Sequence, residues 1–89
     1  MSQFVGMDIE GVRSLARVLG QKSEEINNLT NALTQQLGGT QWVGTDANQF
    51  RNDWSSHHVS ALRQVSQALV DAQNACLANA QQQEAASGH

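Results

Sequence analysis

The chain has no proline and no tyrosine, one cysteine, and five lysines and arginines against eight acidic residues in 89. Each shortage narrows what it can be. Without proline nothing breaks a helix from within. The glycines gather near the ends and the middle, so two long uninterrupted helices are open to this sequence. Cys76 alone allows no internal disulfide, and no Cys/His cluster has the spacing of a zinc site. A net charge of −3 with no basic cluster argues against nucleic acid, whose phosphates need concentrated positive charge. The same deficit argues against an anionic membrane surface. No apolar run approaches the roughly 20 residues of a membrane-spanning helix. Met1-Ser2-Gln3-Phe4 lacks the basic-then-apolar pattern of a classical signal peptide. A single domain of this length is marginal without a disulfide or a metal, and oligomerisation is the leading way to complete a core.

What is present is helical periodicity. Phe4, Val5 and Met7 around Gly6 read as an extended lead-in packing on a helix end. Asp8 suits an N-cap and Glu10 the positive end of the helix dipole. From there Val12, Leu15, Leu19, Ile26, Leu29 and Leu33 fall in steps of 3, 4, 7, 3 and 4, a heptad seam with Lys22 in its missing position. The lysine stem can lie along the apolar edge while the ammonium reaches water. Gly11 and Gly20 are unfavourable inside a helix and can serve close helix approach. The predicted first helix covers about 8–37 and stops at Gly38-Gly39, the usual glycine signal. A turn at 38–45 follows. Thr45 or Asp46 then caps a second helix over about 46–80, with Asp46 and Gln49 at capping-box spacing. A linker this short makes the two helices antiparallel neighbours.

The second helix carries series that recur every eleven residues: Trp54, Val65, Cys76; Phe50, Ala61, Ala72; Ala47, His58, Leu69, Ala80. With Leu62 they make a face wider than an a/d seam, small alanines alternating with large residues. One partner helix cannot cover it, which points to a second hairpin. The tail 81–89 is polar, lacks periodicity and is expected to fray. The fold class is thus all-α: one antiparallel helix-turn-helix domain over 1–89, assembling as a dimer into a four-helix bundle. Its interface residues are Val12, Leu15, Leu19, Ile26, Leu29, Leu33, Phe50, Trp54, Leu62, Val65 and Leu69.

Chemistry-bearing clusters are few. His57 and His58, adjacent on a helix, diverge by about 100° and cannot share a metal as i, i+4 pairs do. His58 reads as a core-edge residue. Ser55 and Ser56 beside them lack an orienting third group and an oxyanion site. Cys76 falls on the apolar stripe, as a packed free thiol or an intermolecular disulfide. Catalytic residues, cofactors, metals and a small-molecule substrate are expected to be absent.

The most informative residues are Trp42-Val43-Gly44. A large aromatic occupies the hairpin tip, where polar residues are the default, and Gly44 can take the positive φ of a sharp reversal. Two readings of Trp42 are open: it only packs the turn, or it also serves recognition. With Ala47-Asn48-Gln49-Phe50-Arg51-Asn52-Asp53-Trp54 after it and a proline-free helix on each side, the tripeptide makes the chain resemble the WXG family of type VII secretion substrates, the early-secreted-antigen-like proteins. The resemblance implies a hairpin that pairs with itself or with a related WXG-type protein. It implies export by a membrane-bound secretion ATPase without a cleaved signal peptide, from a cytoplasmic state to the outside. The family's export signal pairs a Tyr with an acidic residue four positions later. Here Glu84 is the acidic candidate and Ala80 stands where the Tyr would be, a degraded signal that puts export without a partner in doubt. Two other classes compete: an intracellular scaffold or chaperone-like hairpin that masks another protein's apolar helix, and a membrane-active pore former using the wide face of the second helix.

Overall fold

The computed structural model describes residues 6–87. The described residues form two long antiparallel arms. The first is α1 (Ile9–Gly39). The second is α2 (Thr45–Asp53), a π-helical turn (Trp54–His58) and α3 (Val59–Ser87), which run on as one rod. The hairpin is 67 Å long and its radius of gyration is 20.0 Å, against about 12 Å for a compact globule of this length. Phe4, Val5 and His89 lie outside the described residues.

Asp8 caps α1 as expected, its Oδ1 accepting from the Gly11 N–H at 3.1 Å. A Cβ at Gly11 would meet the Asp8 carboxylate as it lies here, so a larger residue at that position would require the carboxylate to shift. The other end of α1 differs from expectation. The helix continues through Gly38 and Gly39, neither of which has positive φ. It ends at an extended Thr40, whose hydroxyl donates to the Gln36 carbonyl at 2.6 Å. That side chain satisfies a terminal carbonyl, the task a left-handed glycine performs elsewhere. The second arm is capped by Gly44, not by Thr45 or Asp46. Gly44 has φ 125° and makes no side-chain cap bond. The Gln49 amide donates to Asp53 instead of reaching back. Gln81–Ser87, expected to fray, is helical: alanines and glutamines are good helix formers, and the end is tied back to α1.

The contact between the arms is made by small residues. Ala16, Ser23 and Thr30, spaced by seven, are buried on α1. Ala47, Ser66 and Ala80 are buried on the other arm, and no large side chain is fully buried among the described residues. Ser23 Oγ donates to the Ser66 carbonyl at 2.9 Å, and Ser66 Oγ donates to the Ser23 carbonyl at 3.2 Å. This reciprocal pair fixes the register of the arms at mid-length, and among the described residues no buried side-chain polar atom lacks a partner. Gly20 allows the Gln73 amide to lie across the seam, where a Cβ would collide with it.

The open end is closed by an ion pair. Arg13 Nη2 lies 2.7 Å from Glu84 Oε1, and Arg13 Nη1 lies 3.4 Å from Glu10. Hydrogen bonding to Arg13, then its charge, holds the Glu84 carboxyl below the ordinary carboxylate range, and the pair raises Arg13 in turn. A carboxylate whose pKa is depressed on folding adds stability at neutral pH that is lost as pH falls through its folded pKa. The melting temperature should therefore drop on acidification below the ordinary carboxylate range. Arg13→Gln should shrink that acid limb, by a modest amount because the pair is solvated. An unchanged pH profile of melting in the variant would show that the clamp does not contribute.

Candidate functional site

With small residues filling the seam, the large apolar side chains are left to one side of it. Val12, Leu19, Ile26, Trp54, Leu62 and Leu69 are half-buried. Leu15 (50 % exposed), Leu29, Leu33, Phe50 and Val65 (48 %) stand largely in solvent. At 100° per residue, the α1 set projects to one side of the Ala16–Ser23–Thr30 line and the α3 set to the same side of the hairpin. The opposite side gathers Asn27, Asn31 and Arg63 in one shallow groove and Val59, Ser60, Gln64 and Gln67 in another. The hairpin is a lamina with one mainly apolar face and one mixed face, where Val59 lies among polar residues. Lone exposed leucines are ordinary, but an apolar stripe along a 67 Å molecule, broken on α1 at Lys22, is the mark of an interaction surface.

The π-helical turn keeps this face continuous. The Val59 N–H donates to the Trp54 carbonyl, five residues back, so the turn holds one extra residue and shifts the phase of what precedes it. Ser55 and Ser56 hydroxyls donate to the Asn52 carbonyl. The shift turns Phe50 and Trp54 onto the side of Leu33 and Leu37. It also leaves His58, expected at the core edge, exposed, with its ring 6.0 Å from that of Trp54.

At the tip these residues line an apolar depression of about 290 Å³, walled by Leu33, Leu37, Trp42, Phe50 and Trp54. Trp42 packs its ring 5.4 Å from Phe50 at a tilted angle, a favoured aromatic arrangement. It remains 39 % exposed, while Val43 projects at 93 %. Trp54 Nε1 donates to Thr34 Oγ1 at 2.9 Å and joins the arms below the turn. The positive φ expected of Gly44 is present.

Arg51 holds the turn and was not singled out by sequence reasoning. Its Nη1 donates to the Trp42 carbonyl at 2.7 Å and its Nη2 to the Thr40 carbonyl at 3.0 Å. The available signal was an arginine two turns into the second helix, long enough to reach back over a turn rich in unpaired carbonyls. The guanidinium fork spans two acceptors, which an ammonium does not reproduce. Arg51→Ala should lower stability by roughly 1–2 kcal/mol and Arg51→Lys should recover little of it. Full recovery by lysine in thermal melts would show that charge alone matters there.

The remaining candidates do not converge. Cys76 is a half-buried free thiol. Ser56 Oγ and His57 Nδ1 are 3.4 Å apart on the exposed surface. Among the described residues no group of His, Cys, Asp and Glu could hold a metal, and no helix is long and apolar enough to cross a membrane. Ala80 is sealed in the seam and Glu84 is paired with Arg13. No protein-family model matches the chain, and no curated protein or solved structure is significantly similar to it.

Proposed function

We propose that the chain is a small non-enzymatic protein-binding module of the type VII secretion kind, a substrate or effector partner whose apolar face is covered by another helical hairpin in a four-helix bundle. The observation that carries this is the division of labour in the hairpin. Small residues close it on itself, so Leu15, Leu29, Leu33, Phe50 and Val65 keep about half of their surface for something else. The Trp42-Val43-Gly44 tip supports the secretion reading, because the turn presents an aromatic and a projecting valine beside that face. The partner is a second copy or a related WXG-type hairpin, and the secretion ATPase is the export machine. The chain is cytoplasmic before export and extracellular after it.

The test is the chain's appearance in culture filtrate of its host, with and without the secretion ATPase and with a cytosolic marker to score lysis. ATPase-dependent release is expected. Retention in the cytosol, bound to another helical protein, would favour the intracellular scaffold, which would use the same face.

A further inference from the structure

We propose that the mixed face carries a separate binding site, centred on Arg63, for an extended acidic segment of a partner protein. The segment sets a carboxylate on the Arg63 guanidinium and an aliphatic side chain, two residues away, on Val59. The site lies across the hairpin from the apolar face. It therefore stays open when that face is covered and does not depend on what covers it.

The first argument is the fate of the cations. The chain has five lysines and arginines. Arg13 is paired with Glu84 and Glu10, Lys22 with Glu25, and Arg51 spans two carbonyls of the turn. Arg17 and Arg63 have no ion pair or hydrogen bond among the described residues. Arg63 lines both grooves of the mixed face, and neither groove has an acidic residue in its wall. The neighbouring acids are turned elsewhere, Glu25 to Lys22, Asp53 to Gln49 and Asp71 to Gln67. A guanidinium left unneutralised in such a groove is complementary to a carboxylate, which its fork can hold bidentately.

The second argument is the walls. The carboxamides of Asn27 and Asn31 on α1 and of Gln64 on α3 have no intramolecular partner among the described residues. Gln67 donates to Asp71 at 3.0 Å, which leaves its carbonyl oxygen. A carboxamide both donates and accepts, as a peptide group does. A single cation is too few for nucleic acid or an anionic membrane, each of which needs a basic cluster.

The third argument is spacing. The groove along the second arm runs from Ser55 to Gln67, about 18 Å of helix, which an extended chain covers in about five residues. Val59 and Arg63, one helical turn apart in that groove, are separated by about 6 Å along the axis. Alternate residues of an extended chain project to the same side at nearly that interval, about 6.6 Å. The half-buried Val59 and Arg63 thus match positions i and i+2 of the segment.

The probe is a fluorescein-labelled seven-residue peptide with one glutamate and an isoleucine two positions from it, made in both orders. Titrated into the full wild-type chain, at least one order should raise the anisotropy. Glutamine in place of the glutamate should weaken binding roughly tenfold. Arg63→Gln should lose the same factor, and Arg63→Lys should recover little of it because the fork is gone. The side-chain amide resonances of Asn27, Asn31 and Gln64 should shift with the probe. Arg63 is exposed, and circular dichroism on each variant verifies that the hairpin is intact. No binding, no preference for glutamate over glutamine, or binding untouched by Arg63→Gln overturns the site. Shifts confined to the resonances of Trp42, Phe50 and Trp54 overturn its location. The same shifts with sodium acetate alone, at matched affinity, overturn the peptide as occupant.

Discussion

Ala80→Tyr should destabilise the hairpin by about 1–3 kcal/mol, although tyrosine is the residue that the export signal of the WXG family would place there. Ala80 has no exposed surface. It sits where α3 closes on α1, a few residues before the Arg13–Glu84 clamp. A phenol ring has no cavity to enter at this point, so either the arms separate or α3 rotates and breaks the clamp. Thermal melts should show the loss, and the acid limb contributed by Glu84 should shrink with it. Glu84→Gln should remove that limb with a smaller loss of stability, since it adds no bulk to the seam. Wild-type stability in Ala80→Tyr would mean that position 80 is free to carry an exposed aromatic and that the seam opens before the end of α3.

Gly44→Ala should cost about 1–3 kcal/mol without touching anything. Gly44 has φ 125° and ψ −178°, a region that side-chain-bearing L residues rarely enter, yet a Cβ built there meets no atom within 4 Å. The penalty is therefore conformational and not steric against neighbours. A semisynthetic chain with D-alanine at position 44 separates the two, since the D residue favours this backbone and should match or exceed the wild-type melting temperature. Equal losses from L- and D-alanine would show that the glycine serves something other than its dihedral angles.

The two-helix plan was legible because its signals are local. Missing proline, the Asp8 cap and the steps from Val12 to Leu33 all report on neighbours within a few residues. The side of the helix that faces the other arm was harder to read. Hydrophobic periodicity marks the largest residues, and here these lie beside the seam. The residues in it are Ala16, Ser23 and Thr30, whose own spacing of seven was the signal that size alone could have given. The π-helical turn was illegible for a different reason. An eleven-residue recurrence through Ala47, His58, Leu69 and Ala80 assumes unbroken α-helical phase, and one extra residue at Trp54–His58 moves His58 outward. The end of α1 misled because glycine signals a left-handed stop only when no side chain takes the last carbonyls. Thr40 takes one. At the tip, Trp42 and Gly44 were visible as unusual residues, whereas Arg51 acts through backbone carbonyls nine and eleven residues back, a contact that no short motif encodes.

The pairing of the apolar face is tested most directly by sedimentation equilibrium of the wild-type chain in reducing buffer, with helicity followed over the same concentrations. The expected result is a species of twice 9.6 kDa whose dissociation on dilution is accompanied by loss of cooperative melting. A cooperatively folded monomer at every concentration, alone and mixed with a related hairpin, would contradict it.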